Sequence, residues 1–321
     1  MIDNNQKALL ELLKASLFEI GPVFPDDVDW NAVLAEAKAQ TVVALAAKAV
    51  PAEYASQWQT YALQSQAQFV RVLHGQTKLV YMLDKVGIRL VILKGTAAAV
   101  CYPEPFRRMM GDIDFLVPQD RFEDAVQLMQ ENGYRQLKQS NNRHICFMKD
   151  GIEYELHRHF SFEDKDIEDE IVSDLSHPEW VEIGESRFPM LPRLANGLIL
   201  LAHIRQHMKS GVGLRQMIDW MMYVDRELDD EFWQSDFMQV AERKGLATLA
   251  ITATRMCQRY LGLGTRITWC AYADDILCDQ LLALLFSSGL NCNPKFQFAK
   301  VNSRPDHSWQ SKFREWQKTG S

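Results

Sequence analysis

The sequences LVILKGT, residues 90–96, and GDIDFLV, residues 111–117, decide the fold of this chain. The first is an apolar strand that ends in Lys-Gly-Thr and runs into an alanine-rich helix start. In the second, Asp112 and Asp114 open a strand, and because strand side chains alternate, both carboxylates face the same side. The two stretches predict a small sheet with a glycine-threonine turn after one strand and two acids at the start of another.

The acid pair predicts a site for a divalent cation. Like charges a few Å apart repel each other and aspartate is poorly suited to strands, so folding alone gives little reason for the pair. The same repulsion predicts that Asp114→Asn leaves the stability of the cation-free protein unchanged or slightly raised. Hard oxygen ligands on a rigid strand are what Mg²⁺ or Mn²⁺ requires. The alternative is an exposed strand end with two solvated acids, because Asp-x-Asp is a short and common pattern.

The turn at Gly95 and Thr96 lies between a strand and a helix. Such a turn presents backbone N–H groups at a helix N-terminus, which suits a phosphate. The spacing of a P-loop is absent, so the turn is weak evidence by itself.

Strand, Gly-Thr turn, short helix and Asp-x-Asp strand together resemble the core of the DNA polymerase β-like nucleotidyltransferase superfamily. The wider pattern of Leu-Lys-Gly, then Tyr102, then Arg108-x-x-Gly-Asp-Ile-Asp-x-Leu-Val is similar to the bacterial family usually labelled uncharacterised nucleotidyltransferase. The resemblance implies an α+β fold whose α/β-type core is a small mixed sheet with flanking helices, with further helical regions on the N- and C-terminal sides.

The resemblance also implies an activity, which is transfer of a nucleoside monophosphate from an NTP to an acceptor. ATP is the expected donor and Mg²⁺ or Mn²⁺ the expected cofactor. The positions that match the motif and are expected to bind the nucleotide are Lys94, Gly95, Thr96, Arg108 and Gly111. Arg108 is the better candidate of the two cations for phosphate, because its planar guanidinium can bind two oxygens at once.

A third acid is expected from a neighbouring strand, two residues before a histidine in the resembled family. The alternating sequence IEYELH, residues 152–157, contains Glu155 and His157 in this arrangement, and Glu153 shares their face. The resemblance therefore selects Glu155, with Asp112 and Asp114, as the catalytic and metal-binding acids. Many relatives have the shorter aspartate at this position. His157 is expected to contact substrate or to support the acids.

A second candidate group lies on later helices. His203 and His207 are four residues apart on a predicted helix of residues 194–208, so both rings face one way, and Arg215 and Asp219 follow. The spacing does not match the zinc-protease motif, and the resembled family has a similar group. The four residues are expected to contact substrate or support the site. The alternative is a buried hydrogen bond between histidine and aspartate.

Four segments are predicted along the chain. They are an N-terminal helical region of residues 1–88, a catalytic core of residues 89–160, a C-terminal helical region of residues 161–290 and a basic, aromatic tail of residues 291–321. The tail is expected to dock on the protein body, with base stacking as the alternative.

Composition limits the partners. The chain has 321 residues, 47% of them hydrophobic, and no apolar run approaches the roughly 20 residues that span a bilayer, so a cytoplasmic location without membrane contact is expected. A net charge of −7 argues against general nucleic-acid binding, so a small molecule or a protein is the expected acceptor. Two other functions stay open: a non-catalytic regulatory module that binds a nucleotide or partner, and one half of a toxin and antitoxin pair acting on RNA or protein.

Overall fold

The computed structural model describes residues 2–138, 144–158, 175, 177–208 and 211–288. The chain divides into two compact units, one of residues 63–200 and one that combines residues 1–62 with residues 201–321. The four predicted segments stay a prediction, and the predicted tail lies outside the described residues.

A seven-stranded mixed sheet forms the centre of the unit of residues 63–200. Its strands are β1 Val91–Leu93, β2 Ile113–Leu116, β3 Arg135–Gln136, β4 His144–Lys149, β5 Ile152–His157, β6 Glu179–Ile183 and β7 Ser186–Met190. The spatial order is β3-β4-β5-β2-β1-β7-β6. Strand β2 pairs antiparallel with β1 and parallel with β5, so the acid-bearing strand lies in the middle of the sheet. The predicted fold class, α+β with a mixed sheet and flanking helices, is confirmed.

The helices account for most of the remaining described residues. They are α1 Asn4–Phe18, α2 Trp30–Ala39, α3 Val43–Ala46, α4 Ala55–Asp84, α5 Gly95–Ala99, α6 Phe122–Glu131, α7 Arg193–His207, α8 Leu214–Glu227, α9 Asp230–Phe232, α10 Met238–Arg243, α11 Ala247–Tyr260 and α12 Asp275–Ser288. Within the described ranges, no helix is both long enough and apolar enough to cross a membrane.

The central strands have one apolar face and one polar face. Phe115 on β2 and Tyr154 on β5 belong to the buried core, together with Phe69 of α4 and Phe122 of α6. Each fully buried side chain of this size contributes about 1.5–3 kcal/mol of hydrophobic stabilisation. Because side chains alternate along a strand, the residues between these core positions point to the opposite face. The apolar face therefore fixes the sheet against its helices, and the acids lie on the other side.

The Asp-Gly pair at residues 150–151 between two strand patterns predicts a two-residue hairpin, and this hairpin forms. Both residues have positive φ angles, 52° and 72°, as a two-residue type I′ turn requires. The turn fixes the register of β4 on β5, from Lys149 opposite Ile152 to His144 opposite His157. The sequence predicts a helix over residues 121–132 with Asp120 as its cap. The cap is wrong, because the chain forms a 3₁₀ turn over Gln119–Arg121 and Asp120 does not cap helix α6.

In the unit of residues 1–62 and 201–321, the regular elements of the described residues are helices. Apolar positions at helical spacing predict one helix from Trp30 to Val50. The helix is interrupted, because Thr41 adopts a φ of 56° between α2 and α3. The neighbouring Gln40 is buried, donates to the carbonyl of Leu285 at 3.0 Å and accepts from the backbone N–H of Leu214 at 2.8 Å. This amide therefore joins three helical segments at the point where the predicted helix breaks.

Gly75 allows α4 to pack closely on β5. A Cβ atom at this position would lie 2.5 Å from the hydroxyl oxygen of Tyr154 and 2.7 Å from Cδ1 of Ile152. Helix propensity alone favours alanine over glycine by about 1 kcal/mol. Overpacking a buried contact outweighs that gain, so we expect Gly75→Ala to lower the free energy of unfolding by about 1–3 kcal/mol in urea denaturation. Val70→Ala, at an exposed position of the same helix, is the control. A more stable Gly75→Ala variant would contradict the close packing.

Candidate acid site on the central strands

Asp114 and Glu155 lie opposite each other on adjacent parallel strands. Their Cα atoms are register partners in the pairing of β2 with β5, and Leu93 of β1 lies opposite Asp114 on its other side. A carboxylate oxygen of each acid and a ring nitrogen of His157 all lie within 4.8 Å of one another. The sheet thus brings together three of the residues that the sequence nominated.

Asp112 and Gly111 precede the first residue of β2. Both are half-buried. The charge of Asp112 is close enough to raise the pKa of Lys94, as the charges of Asp114 and Glu155 also do. Asp112 therefore adds to the negative potential on the same side of the sheet.

Lys94 contributes the positive charge of the site. Its Nζ lies 2.7 Å from Oδ1 of Asp114, and its side chain is only 13% exposed. The residue adopts φ 50° and ψ −131°, a conformation that costs a non-glycine residue about 1–3 kcal/mol. Gly95 follows with a φ of 31°, so two consecutive positive φ angles turn the chain sharply after β1. The sequence pattern predicts this lysine near phosphate, whereas its ammonium group forms an ion pair with Asp114.

His157 holds the same carboxylate from the other side. Its Nε2 lies 2.7 Å from Oδ1 of Asp114 and 3.7 Å from Oε2 of Glu155. The ring is buried, whereas the Glu155 side chain is 17% exposed. Lys94 and His157 thus both contact the same oxygen of Asp114.

The charges of the buried pair stabilise each other. Burial alone would raise the pKa of Asp114, but the Lys94 charge and the hydrogen bond with His157 outweigh it and hold that pKa well below 3.8. Burial alone would lower the pKa of Lys94, but the nearby carboxylates raise it above 10.5. Both groups are therefore ionised at neutral pH. The expectation that repulsion dominates at Asp114 is corrected, because Lys94 compensates its charge.

The Gly-Thr turn is anchored to helix α4. Thr96 is fully buried, and its hydroxyl donates to Oε1 of Gln76 at 2.5 Å. A Cβ atom at Gly95 would lie 3.3 Å from Cε of Met110, in the segment that leads into β2. The threonine hydroxyl thus fixes the turn, so that only the backbone of the turn is left for the predicted phosphate contact.

Arg108 folds back on the residues that follow it. It is 5% exposed, and Nη1 donates to the carbonyl of Met109 at 3.3 Å and contacts Sδ of Met110 at 3.2 Å. Its role in phosphate binding stays a prediction.

The histidine pair lies in the other compact unit. Nε2 of His203 and Nε2 of His207 are 2.9 Å apart and their rings are nearly perpendicular, so one nitrogen donates and the other accepts. Arg215 is half-buried and Asp219 is buried on α8 of that unit. The role of these four residues in substrate binding stays a prediction.

Two residues near the acids were missed by sequence analysis. His144 and Cys146 lie on β4, and Cys146 is the register partner of Glu155. One donor atom each from His144, Cys146 and Glu155 lie within 4.8 Å of one another. The signal was present in the sequence, because counting outward from the Asp150-Gly151 turn places residues 146 and 155 side by side.

The donor atoms suit a divalent cation. Asp114 and Glu155 offer hard carboxylate oxygens from two rigid strands, as Mg²⁺ and Mn²⁺ prefer, and the imidazole of His157 is acceptable to Mn²⁺. Lys94 provides the charge compensation that such an ion would also give.

Comparison with known proteins identifies the family. The model of the family described as "Uncharacterised nucleotidyltransferase" matches residues 26–262, which is most of the chain. No curated protein matches the chain. Among solved structures, it is similar to an antigenic nucleotidyltransferase-like protein from Paracoccidioides brasiliensis, with 14% sequence identity, a TM-score of 0.40 and coverage of 64% of this chain and 98% of that one. This structural likeness is too low to support an argument about function. The match confirms the predicted resemblance to the uncharacterised nucleotidyltransferase family, and the chain belongs to that family.

Proposed function

We propose that this protein transfers a nucleoside monophosphate from an NTP, with ATP as the donor, to an acceptor nucleophile. One observation carries the proposal. The chain belongs to a nucleotidyltransferase family, and its Asp114 and Glu155 lie opposite each other on the adjacent strands β2 and β5. Asp112 lies just before the first residue of β2. Membership of the DNA polymerase β-like superfamily and a bacterial origin are parts of the same proposal.

Asp112, Asp114 and Glu155 would hold Mg²⁺ or Mn²⁺. When bound, such an ion neutralises phosphate charge and makes the acceptor hydroxyl more acidic. Glu155 is the more exposed of the two paired strand acids, 17% against 7%, and is therefore better placed to accept the acceptor's proton. The hydrogen bond between His157 and Asp114 fixes the orientation of the buried carboxylate.

The remaining nominated residues would position the triphosphate. The backbone N–H groups of Gly95 and Thr96 and the charges of Lys94 and Arg108 are suited to phosphate oxygens. Gly111, beside Asp112, is the remaining candidate nucleotide contact. The ammonium group of Lys94 already contacts Asp114 and could contact a phosphate oxygen at the same time. Little covalent chemistry is required of the protein, since positioning and charge compensation supply most of the rate in phosphoryl transfer.

Nucleotide binding is expected to require the cation. In calorimetric titration with a non-hydrolysable ATP analogue, affinity should fall at least about tenfold when EDTA replaces Mg²⁺, which corresponds to 1.4 kcal/mol. Asp112→Asn should reduce the affinity in Mg²⁺ to the EDTA level. Asp120→Asn, an exposed acid in the turn after β2, is the matched control and should bind normally. Equal affinity with Mg²⁺ and with EDTA would exclude a cation-linked nucleotide site.

A non-catalytic nucleotide-binding module is the second candidate. The observation in its favour is that Lys94 already supplies a positive charge to Asp114 at 2.7 Å, as a structural ion pair would. A transfer assay with ATP labelled on the α-phosphate distinguishes this module from an active nucleotidyltransferase. Nucleotide binding without any labelled product, across a panel of small molecules and cellular protein, would favour the module.

We propose that the acceptor is a small molecule or a protein, with His203, His207, Arg215 and Asp219 as candidate substrate contacts. The net charge of −7 supports this, because nucleic-acid backbones bind clustered positive charge. The full-length chain is therefore expected not to shift labelled single-stranded RNA in a gel at physiological salt. Binding that weakens steeply with added salt would show that nucleic acid is a partner after all.

A further inference from the structure

A second group of metal ligands lies beside the acid site. His144 and Cys146 are two residues apart on β4, so their side chains share a face, and Cys146 lies opposite Glu155 on β5. The three donor atoms lie within 4.8 Å of one another. Cys146 is 1% exposed and the Glu155 side chain is 17% exposed. The group is therefore held inside the sheet unit and is not a chance cluster of surface acids.

The donor set differs in kind from that of the acid site. A thiolate, an imidazole and a carboxylate are the ligands of Zn²⁺ and similar borderline ions, whereas Mg²⁺ rarely accepts sulfur. Bonds of about 2.0–2.3 Å to a tetrahedral ion place the donors roughly 3.3–3.8 Å apart, so the donor separations would have to shorten by at most about 1.5 Å to close the site. Three protein ligands leave the fourth position open, as in zinc sites that bind water or a substrate.

We propose that His144, Cys146 and Glu155 form a second cation site, for Zn²⁺ or a similar borderline ion, next to the acid site. Binding replaces the thiol proton of Cys146 with the metal ion and releases that proton to solvent. Glu155 belongs to both donor sets and therefore connects the two sites. The site does not depend on the proposed transfer reaction, because its ligands are defined by the strand register alone.

Cobalt tests the site directly, because Zn²⁺ is spectroscopically silent. Adding Co²⁺ to the reduced full-length protein should produce the near-ultraviolet absorption of a thiolate-cobalt bond, saturating at one ion per chain. One equivalent of Zn²⁺ should remove the absorption, and excess Mg²⁺ should not. Asp114→Asn should keep it, although that variant is expected to be inactive as a transferase. The readout thus separates failure of this site from failure of the proposed function.

Paired variants assign the ligands. Cys146→Ala should lose the absorption and Cys101→Ala, another buried cysteine of the same unit, should keep it. Glu155→Gln should weaken Co²⁺ binding at least about tenfold, while Glu153→Gln on the same strand should not. His144→Ala, at the half-buried end of β4, gives a second test that does not alter the core, and circular dichroism checks the folding of each variant. An absorption that is missing in the wild type, or that persists in Cys146→Ala, would overturn the proposal.

Discussion

Replacing Asp114 by asparagine is expected to lower the free energy of unfolding by about 3 kcal/mol at neutral pH and to abolish nucleotidyl transfer. The side chains of Asp114 and Lys94 are 7% and 13% exposed, and their charged atoms are 2.7 Å apart. Removing the carboxylate charge leaves a buried ammonium without its closest counter-charge, which is the costly half of a broken ion pair. Transfer is lost because the asparagine amide is a poor cation ligand.

The stability difference should depend on pH in a defined direction. The pKa of Asp114 is lowered in the folded state, so its contribution is complete above the unfolded value of about 3.8 and is lost as the pH falls toward the folded value. The pKa of Lys94 is raised, so its contribution is complete below about 10.5 and is lost as the pH rises through the folded value. In urea denaturation, the free energies of unfolding of wild type and Asp114→Asn should therefore show their full difference between these two pH values, and the difference should shrink in acid.

A double variant tests whether the unpaired ammonium group of Lys94 causes the loss of stability in Asp114→Asn. Lys94→Met/Asp114→Asn removes both charges at similar volume, so it should regain most of the stability lost by Asp114→Asn while remaining inactive. Methionine keeps the same backbone requirement at position 94, which makes it a matched replacement. If the single variant is as stable as the wild type at neutral pH, the ion pair does not stabilise the fold and the original expectation of repulsion is correct.

Glu155→Gln is expected to reduce kcat/KM for transfer by at least about a hundredfold, and Glu153→Gln by far less. Both glutamates are half-buried on β5 and point to the same face, so they are a matched pair. Only Glu155 has its register partner in Asp114 and its Oε2 3.7 Å from His157. The assay compares rates with α-labelled ATP at saturating Mg²⁺ for the two purified variants.

If Glu153→Gln lost more activity than Glu155→Gln, Glu153 would be the third acid. Extending the register of β2 and β5 by one residue beyond Ile113 and Tyr154 would place Glu153 beside Asp112. A larger loss in Glu153→Gln would therefore show that the reaction uses this outer pair of acids. Thermal unfolding of both variants controls for a general loss of structure.

The sequence by itself determined the elements that carry the acids. An apolar run, an Asp-x-Asp strand and an Asp-Gly turn are local signals, since each depends on side-chain alternation or on residues that accept positive φ. These signals correctly predicted β1, β2, the β4–β5 hairpin and the fold class. The hairpin of β6 and β7 was missed, because Pro189 indicates a break. In the structure Pro189 lies in β7 opposite Trp180 of β6, and the pairing of β7 with β1 is limited to Ile92 and Met190.

Only the tertiary structure decided which charges meet. The pairing of β2 with β5 joins residues that are far apart in the chain, and it brings Glu155 and His157 to Asp114. The sharp turn at Lys94 and Gly95 places an ammonium group on that acid, and no local pattern predicts this, because lysine rarely adopts a positive φ. The same register puts Cys146 beside Glu155. Strand order and backbone turns set these distances, so the sequence named the acids while the fold determined their charge partners and the neighbouring donor atoms.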